Sequence, residues 1–147
     1  MIERERGKAY FQKNKVQIYK KLLNVYSWNA IKRIKNQSSH IVDEMYMRYP
    51  YDKYCSPYFN YLCLKYGVRQ NAYLYQECFD AGMLAYMYSI CRCSIMKDRD
   101  DSEHIKAYIW KITKIYFKAA MEISNDSKNL CKENGFRQVN CSEDYRV

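Results

Sequence analysis

The sequence predicts an all-α fold, a single compact bundle of about five to seven helices packed around one long buried central helix. Three observations point there. Four Gly and two Pro in 147 residues leave few of the turn residues that all-β folds place between short strands. Apolar side chains recur at three- and four-residue spacing through most of the chain, which is the period of a helix and not of a strand. A chain of 147 residues with 48% apolar side chains suits one core, and hence one domain over 1–147. Seventeen tyrosines favour strand by propensity, so the helical assignment rests on periodicity and caps.

From Lys8 to Tyr26, Phe11, Ile18, Leu22 and Val25 or Tyr26 share one side, with Lys13, Lys20 and Lys21 elsewhere on the wheel, as in an amphipathic helix. Ser27 is a candidate cap for a second, shorter helix with Ala30, Ile31 and Ile34 on its apolar side. The polar run Asn36–Ser39 interrupts it. A third helix starts at Ser39, carries Ile41, Met45 and Tyr49, and must stop at Pro50, which lacks the backbone donor.

Tyr51–Cys55 reads as a short loop. Ser56 and Pro57 then make a cap followed by a first-turn proline, and Gly67 supplies the C-terminal stop of a helix whose apolar stripe is Phe59, Leu62, Cys63 and Tyr66. Asn71 can cap the next helix, which runs to about Met96 and holds only Glu77 and Asp80 as charges before Arg92. Apolar on nearly every face, this is the expected central helix, although a stripe left exposed on it would suit a homodimer. Asp101 or Ser102 can cap a helix reaching Ser124, on which Ile105, Ile109, Ile112, Tyr116, Ala119 and Ile123 keep the period and Lys111, Lys114 and Lys118 form another stripe. A last short helix is expected from Asp126 to Asn134, ended by Gly135, with a polar tail over 136–147.

The charge is uneven. Of a net charge of +9, +8 falls within Met1–Lys35, which holds ten cations and two anions. Basic helices over 1–36 suit a polyanion, because each phosphate neutralised releases condensed counterions. Lys13, Lys20, Lys21, Lys32, Arg33 and Lys35 are the candidate phosphate contacts, and Lys111, Lys114 and Lys118 extend the patch if their helix lies alongside. A tyrosine cluster (46, 49, 51, 54, 58, 61 and 66) is interleaved with Arg48, Lys53 and Lys65. Rings at helical spacing mostly fill a core, but rings beside cations also stack on bases. Tyr51, Tyr54 and Tyr58 are the candidate stacking residues.

The chemistry of catalysis is thinly represented. No glycine-rich phosphate loop, nucleophile elbow or paired metal-binding carboxylates appear. Seven Cys at 55, 63, 78, 91, 93, 131 and 141 form no pattern of paired short spacings, as a zinc site would need. Most sit among apolar neighbours, where a thiol acts as a small hydrophobe in a reducing compartment. Asp98–Asp101 reads as a charged, helix-preceding turn. Arg33 and His40 have six residues between them, a spacing that resembles the arginine-to-histidine motif of HEPN ribonucleases, although Ile34 stands where that motif carries a polar residue. That resemblance implies metal-independent RNA cleavage across a dimer; the residue reading places His40 simply in the first turn after a Ser39 cap. No catalytic residue, metal or cofactor is assigned.

The longest uncharged stretches, Tyr54–Leu64 and Ala81–Cys91, fall well short of the ~20 residues of a spanning helix, and Glu3–Arg6 stand where a secretory signal would carry apolar residues. An intracellular, non-enzymatic binding protein that engages nucleic acid or a nucleoprotein is therefore expected. An acidic protein partner is the competing possibility, as for a phage or mobile-element inhibitor of the anti-CRISPR kind, which size and A/T-rich codon flavour suggest.

Overall fold

In the computed structural model, the backbone is described over residues 2–97 and 99–133, and side chains over 7–97 and 99–127. From Ile2 to Arg48 the chain is one helical rod in three pieces: α1 (Ile2–Lys21), a π-turn (Leu22–Tyr26) and α2 (Ser27–Arg48). The Ser27 N–H donates to the Leu22 carbonyl five residues back, and Lys21 (φ −64, ψ −41) and Ser27 (φ −64, ψ −43) keep right-handed helical angles. Such a turn holds one residue more than an α-turn. At about 100° per residue, it rotates α2 by that much relative to α1.

That rotation corrects two sequence expectations. Ser27 is not a cap but a buried mid-rod residue, whose Oγ lies 2.7 Å from the Leu22 carbonyl and 2.6 Å from the Tyr116 hydroxyl. Val25 and Tyr26, expected to face inward, are 53% and 57% exposed, because the extra residue hands the inward position to Ser27. With it, buried Ser27, Ala30, Ile31 and Ile34 continue the half-buried side of Phe11, Ile18 and Leu22.

The expected interruption at Asn36–Ser39 is present: Ser38 is non-helical (φ −143, ψ 36) and kinks α2 into two helical segments, the second of which starts at Ser39 as expected and ends at Arg48 before Pro50. The expected loop at Tyr51–Cys55 instead contains a helical turn, α3 (Tyr51–Tyr54), whose Lys53 and Tyr54 N–H groups donate to the Pro50 carbonyl at 3.2 and 3.0 Å. In α4 (Ser56–Tyr66), Cys55 and not Ser56 occupies the cap position. Gly67 ends it at φ 63 in the left-handed region that glycine tolerates. After a 3₁₀ turn (Val68–Gln70), Asn71 caps α5 (Ala72–Ser94), its Oδ1 accepting from the Leu74 N–H at 3.1 Å. The Asp101 Oδ1 likewise accepts from the His104 N–H at 3.2 Å at the start of α6 (Ser102–Glu133). No break separates Ser124 from Asp126: the last two expected helices are one, because nothing in that stretch removes a backbone donor. Gly135 and the tail lie outside the described residues.

The fold is an all-α bundle without strands among the described residues. Twelve of the 23 residues of α5 are buried between α2 and α6, so its apolar faces are consumed by its own chain. Phe59 is the hub, with Tyr75, Phe79 and Phe117 edge-on at 6.0, 5.8 and 5.7 Å. Cys55, Cys63, Cys78, Cys91 and Cys93 are buried free thiols, while the side chains of Cys131 and Cys141 are outside the described set. Tyr49 is 2% exposed and accepts at its carbonyl from the Tyr86 hydroxyl at 2.6 Å. No helix is long and apolar enough to cross a membrane among the described residues.

Candidate nucleic-acid interface

The α1–α2 rod leans on α6 in antiparallel sense, with Lys15 Nζ 3.1 Å from Glu122 Oε2 near one end and Ser27 on Tyr116 further along. Its opposite side faces solvent. Lys13, Lys21, Lys32 and Arg33 are exposed there and Lys20 is half-exposed. Among the described residues none of these five has an acidic partner. Lys35 differs: its ammonium lies 5.6 Å over the Tyr46 ring and the side chain is half-buried, so a cation–π contact occupies it.

The π-turn decides how these cations line up. In an uninterrupted α-helix, residues 12 apart, such as Lys20 and Lys32 or Lys21 and Arg33, are about 120° apart around the axis. With one residue absorbed by the π-turn each pair closes to about 20°. Lys13, Lys20 and Lys32 thus form one row, and Lys21 and Arg33 a second row about 80–100° around the rod. Consistent with the second row, Lys21 and Arg33 line one groove of about 450 Å³ together with Val25, Tyr26, Asn29 and Ala30.

The α6 lysines do not extend this face. Lys111, Lys114 and Lys118 are exposed but project about 140–160° around α6 from Tyr116, the residue that meets Ser27. The two helices are neighbours, yet this stripe points away from their contact.

The candidate stacking residues sit elsewhere, over α3 and α4, and all three are half-buried. Tyr51 stands edge-on to Tyr86 at 5.5 Å and Tyr54 edge-on to Tyr49 at 5.1 Å. Tyr58 is sandwiched between Trp110, at 4.7 Å and 10°, and Tyr61, at 5.8 Å and 23°. The outer ring of that stack is Tyr61, 52% exposed. Lys65 lies 6.0 Å over Tyr61 and Lys106 lies 4.9 Å over Trp110, and the Trp110 N–H donates to the Tyr54 carbonyl at 3.0 Å. Sequence reasoning overlooked Trp110 and Lys106, although their four-residue spacing on a helix signals a same-face pair. Burial pushes the phenols of Tyr51 and Tyr58 up, so they are neutral at physiological pH.

Arg33 and His40 are both exposed on α2 with the Ser38 kink between them. Among the described residues, no three His, Cys, Asp or Glu side chains cluster as metal ligands would. Arg48 bridges Glu44 and Asp100, and Asp101 serves as a cap, which accounts for two acids of the 98–101 run. No known protein family, curated protein or solved structure matches the chain.

Proposed function

We propose that the protein is a non-enzymatic binding module that engages nucleic acid, or a nucleic-acid-containing complex, through the solvent face of the α1–α2 rod. The observation that carries this reading is the set of five cations without acidic partners, Lys13, Lys20, Lys21, Lys32 and Arg33, on one side of a continuous helix. Such a face gives a polyanion a dense line of contacts whose strength comes from counterion release. Lys35 contributes field more than direct contact, because its ammonium is engaged over Tyr46. Of the three tyrosines, Tyr58 forms the base of a ring stack whose outer member, Tyr61, is exposed with Lys65 beside it, a pairing that suits an unpaired base and its phosphate. Tyr51 and Tyr54 are engaged edge-on with Tyr86 and Tyr49 and support that surface from below.

Protein purified gently at low salt should carry nucleic acid, read as a raised ultraviolet absorbance ratio that falls after nuclease and a high-salt wash. Clean protein that binds no added nucleic acid at low salt contradicts the proposal. One observation favours a second reading, an acidic protein partner such as a host nucleoprotein subunit. Val25, Tyr26 and Trp28 are apolar and 53%, 57% and 48% exposed beside Lys21 and Arg33, a mix that also suits a protein interface. A defined partner captured equally well after nuclease treatment would select it.

A further inference from the structure

Between the two cation rows runs a strip of amides. Taking Lys13 as the origin, the one-residue shift places Lys20 and Lys32 within about 20° of it, Lys21 and Arg33 at about 80–100°, and Gln17, Asn29 and Asn36 at about 40–60°. Gln17, Asn29 and Asn36 are all exposed, and none of them hydrogen-bonds within the described fold. Without the π-turn, Asn29 would sit about 160° from Lys13, on the far side of the rod. The same turn that keeps the buried side continuous therefore assembles a face with cations on its flanks and amides along its middle, where exposed Val25 is the apolar member.

We propose that this face reads the major groove of double-stranded B-form DNA, the flanking cations holding phosphates on the two sides of the groove and the amides meeting base edges. The inference rests on the nucleic-acid reading above and narrows it. Amide side chains carry both a donor and an acceptor, which is the pattern that adenine presents in the major groove, and a groove of ~12 Å admits a helix. On a helix about 10–12 Å across with its side chains, rows 80–100° apart are about 8 Å apart at the side-chain surface, and fully extended lysine and arginine side chains reach beyond that surface towards the groove edges. Double-stranded RNA does not offer the same site, because its major groove is too deep and narrow for side chains to read. A single strand has no paired backbones to match two rows.

The experiment is a selection from a random-sequence DNA duplex library by the full chain, followed by anisotropy titrations on labelled probes: the enriched duplex, a random duplex, the corresponding single strand and the corresponding RNA duplex. Binding to the enriched duplex should be tighter than to the other three. Q17A, N29A and N36A should each erode the preference for the enriched over the random duplex by roughly 5- to 150-fold and leave the random-duplex affinity and its salt dependence unchanged. Q37A, at an exposed position about 140° from the Lys13 row, should do neither. Far-UV circular dichroism establishes that each variant is folded. Equal affinity for single strand or RNA duplex, no enriched sequence, or amide variants that retain full preference overturn the groove assignment and leave the broader nucleic-acid reading standing. Absence of binding to every probe overturns both.

Discussion

Replacing Ser27 by alanine is the sharpest probe of the π-turn. Ser27 is 0% exposed and Tyr116 is 2% exposed, so water does not compensate either hydroxyl. Each has one proton, and the arrangement that satisfies both runs from the Tyr116 hydroxyl to Ser27 Oγ (2.6 Å) and from Ser27 to the Leu22 carbonyl (2.7 Å). S27A removes one oxygen, leaves no sizeable cavity, and strands a buried tyrosine hydroxyl at about 1–3 kcal/mol. Y116F removes that hydroxyl while Ser27 keeps its carbonyl acceptor, which costs about 0.5–1.5 kcal/mol. In the double variant nothing is stranded, so its cost should fall below the sum of the two by about 1 kcal/mol, the signature of direct coupling. Thermal unfolding followed by far-UV circular dichroism reads these at about 2–4 °C per kcal/mol in a chain of this size, which puts S27A roughly 4–8 °C below the parent if it costs ~2 kcal/mol. A melting temperature for S27A equal to the parent's, or strictly additive costs, would refute the relay.

Three further outcomes follow from the packing. An alanine methyl at Gly82 would stand 3.0 Å from Phe59 Cδ1 and 3.3 Å from Cε1, and Phe59 is locked among three rings, so the about 1 kcal/mol gained in helix propensity should be outweighed by an overpacking cost of about 1–3 kcal/mol; G82A more stable than the parent in urea would contradict this. G67A forces a β-carbon into φ 63 and should cost about 1–2 kcal/mol, seen as a lower urea midpoint with an unchanged slope; an unchanged midpoint would show that the α4 terminus relaxes freely. Burial pushes the thiols of Cys55 to about 11 and of Cys78 and Cys93 to about 12 from an ordinary 9.0, and the Tyr86 and Tyr88 phenols to about 12 from 10.0. Because the unfolded chain sheds these protons first, stability is full below pH 9.0 and falls as pH rises from there towards about 12. Urea midpoints that stay flat through this range would refute that burial.

What could be read from the sequence followed local chemistry. Pro50, Gly67, Asn71 and Asp101 each act through the backbone within four residues, and the boundaries they mark appear where that chemistry puts them. The apolar composition of α5 was likewise enough to place it at the centre. The π-turn was not legible, because the Ser27 hydroxyl that bonds back to Leu22 also meets Tyr116, 89 residues away in the chain, and no local pattern announces such a contact. Val25 and Tyr26 were misplaced for that reason alone. The excess of cations near the N-terminus is a property of composition and was plain. Their alignment into two rows depends on the inserted residue, and so required the fold. The tyrosine cluster was visible as a run, but Trp110, which stacks on Tyr58 from another helix, is brought to it only by the packing of α6.

The most direct test of the central claim is the salt dependence of binding to a labelled random-sequence DNA duplex, measured for the parent chain and for the combined variant K20A/K21A/R33A. If these three side chains neutralise phosphates, the slope of log affinity against log salt should be shallower in the variant by about 0.9 for each phosphate no longer neutralised, near 3 in all. A variant that binds more weakly with the parent's slope, or a parent chain whose affinity is indifferent to salt, would contradict the account.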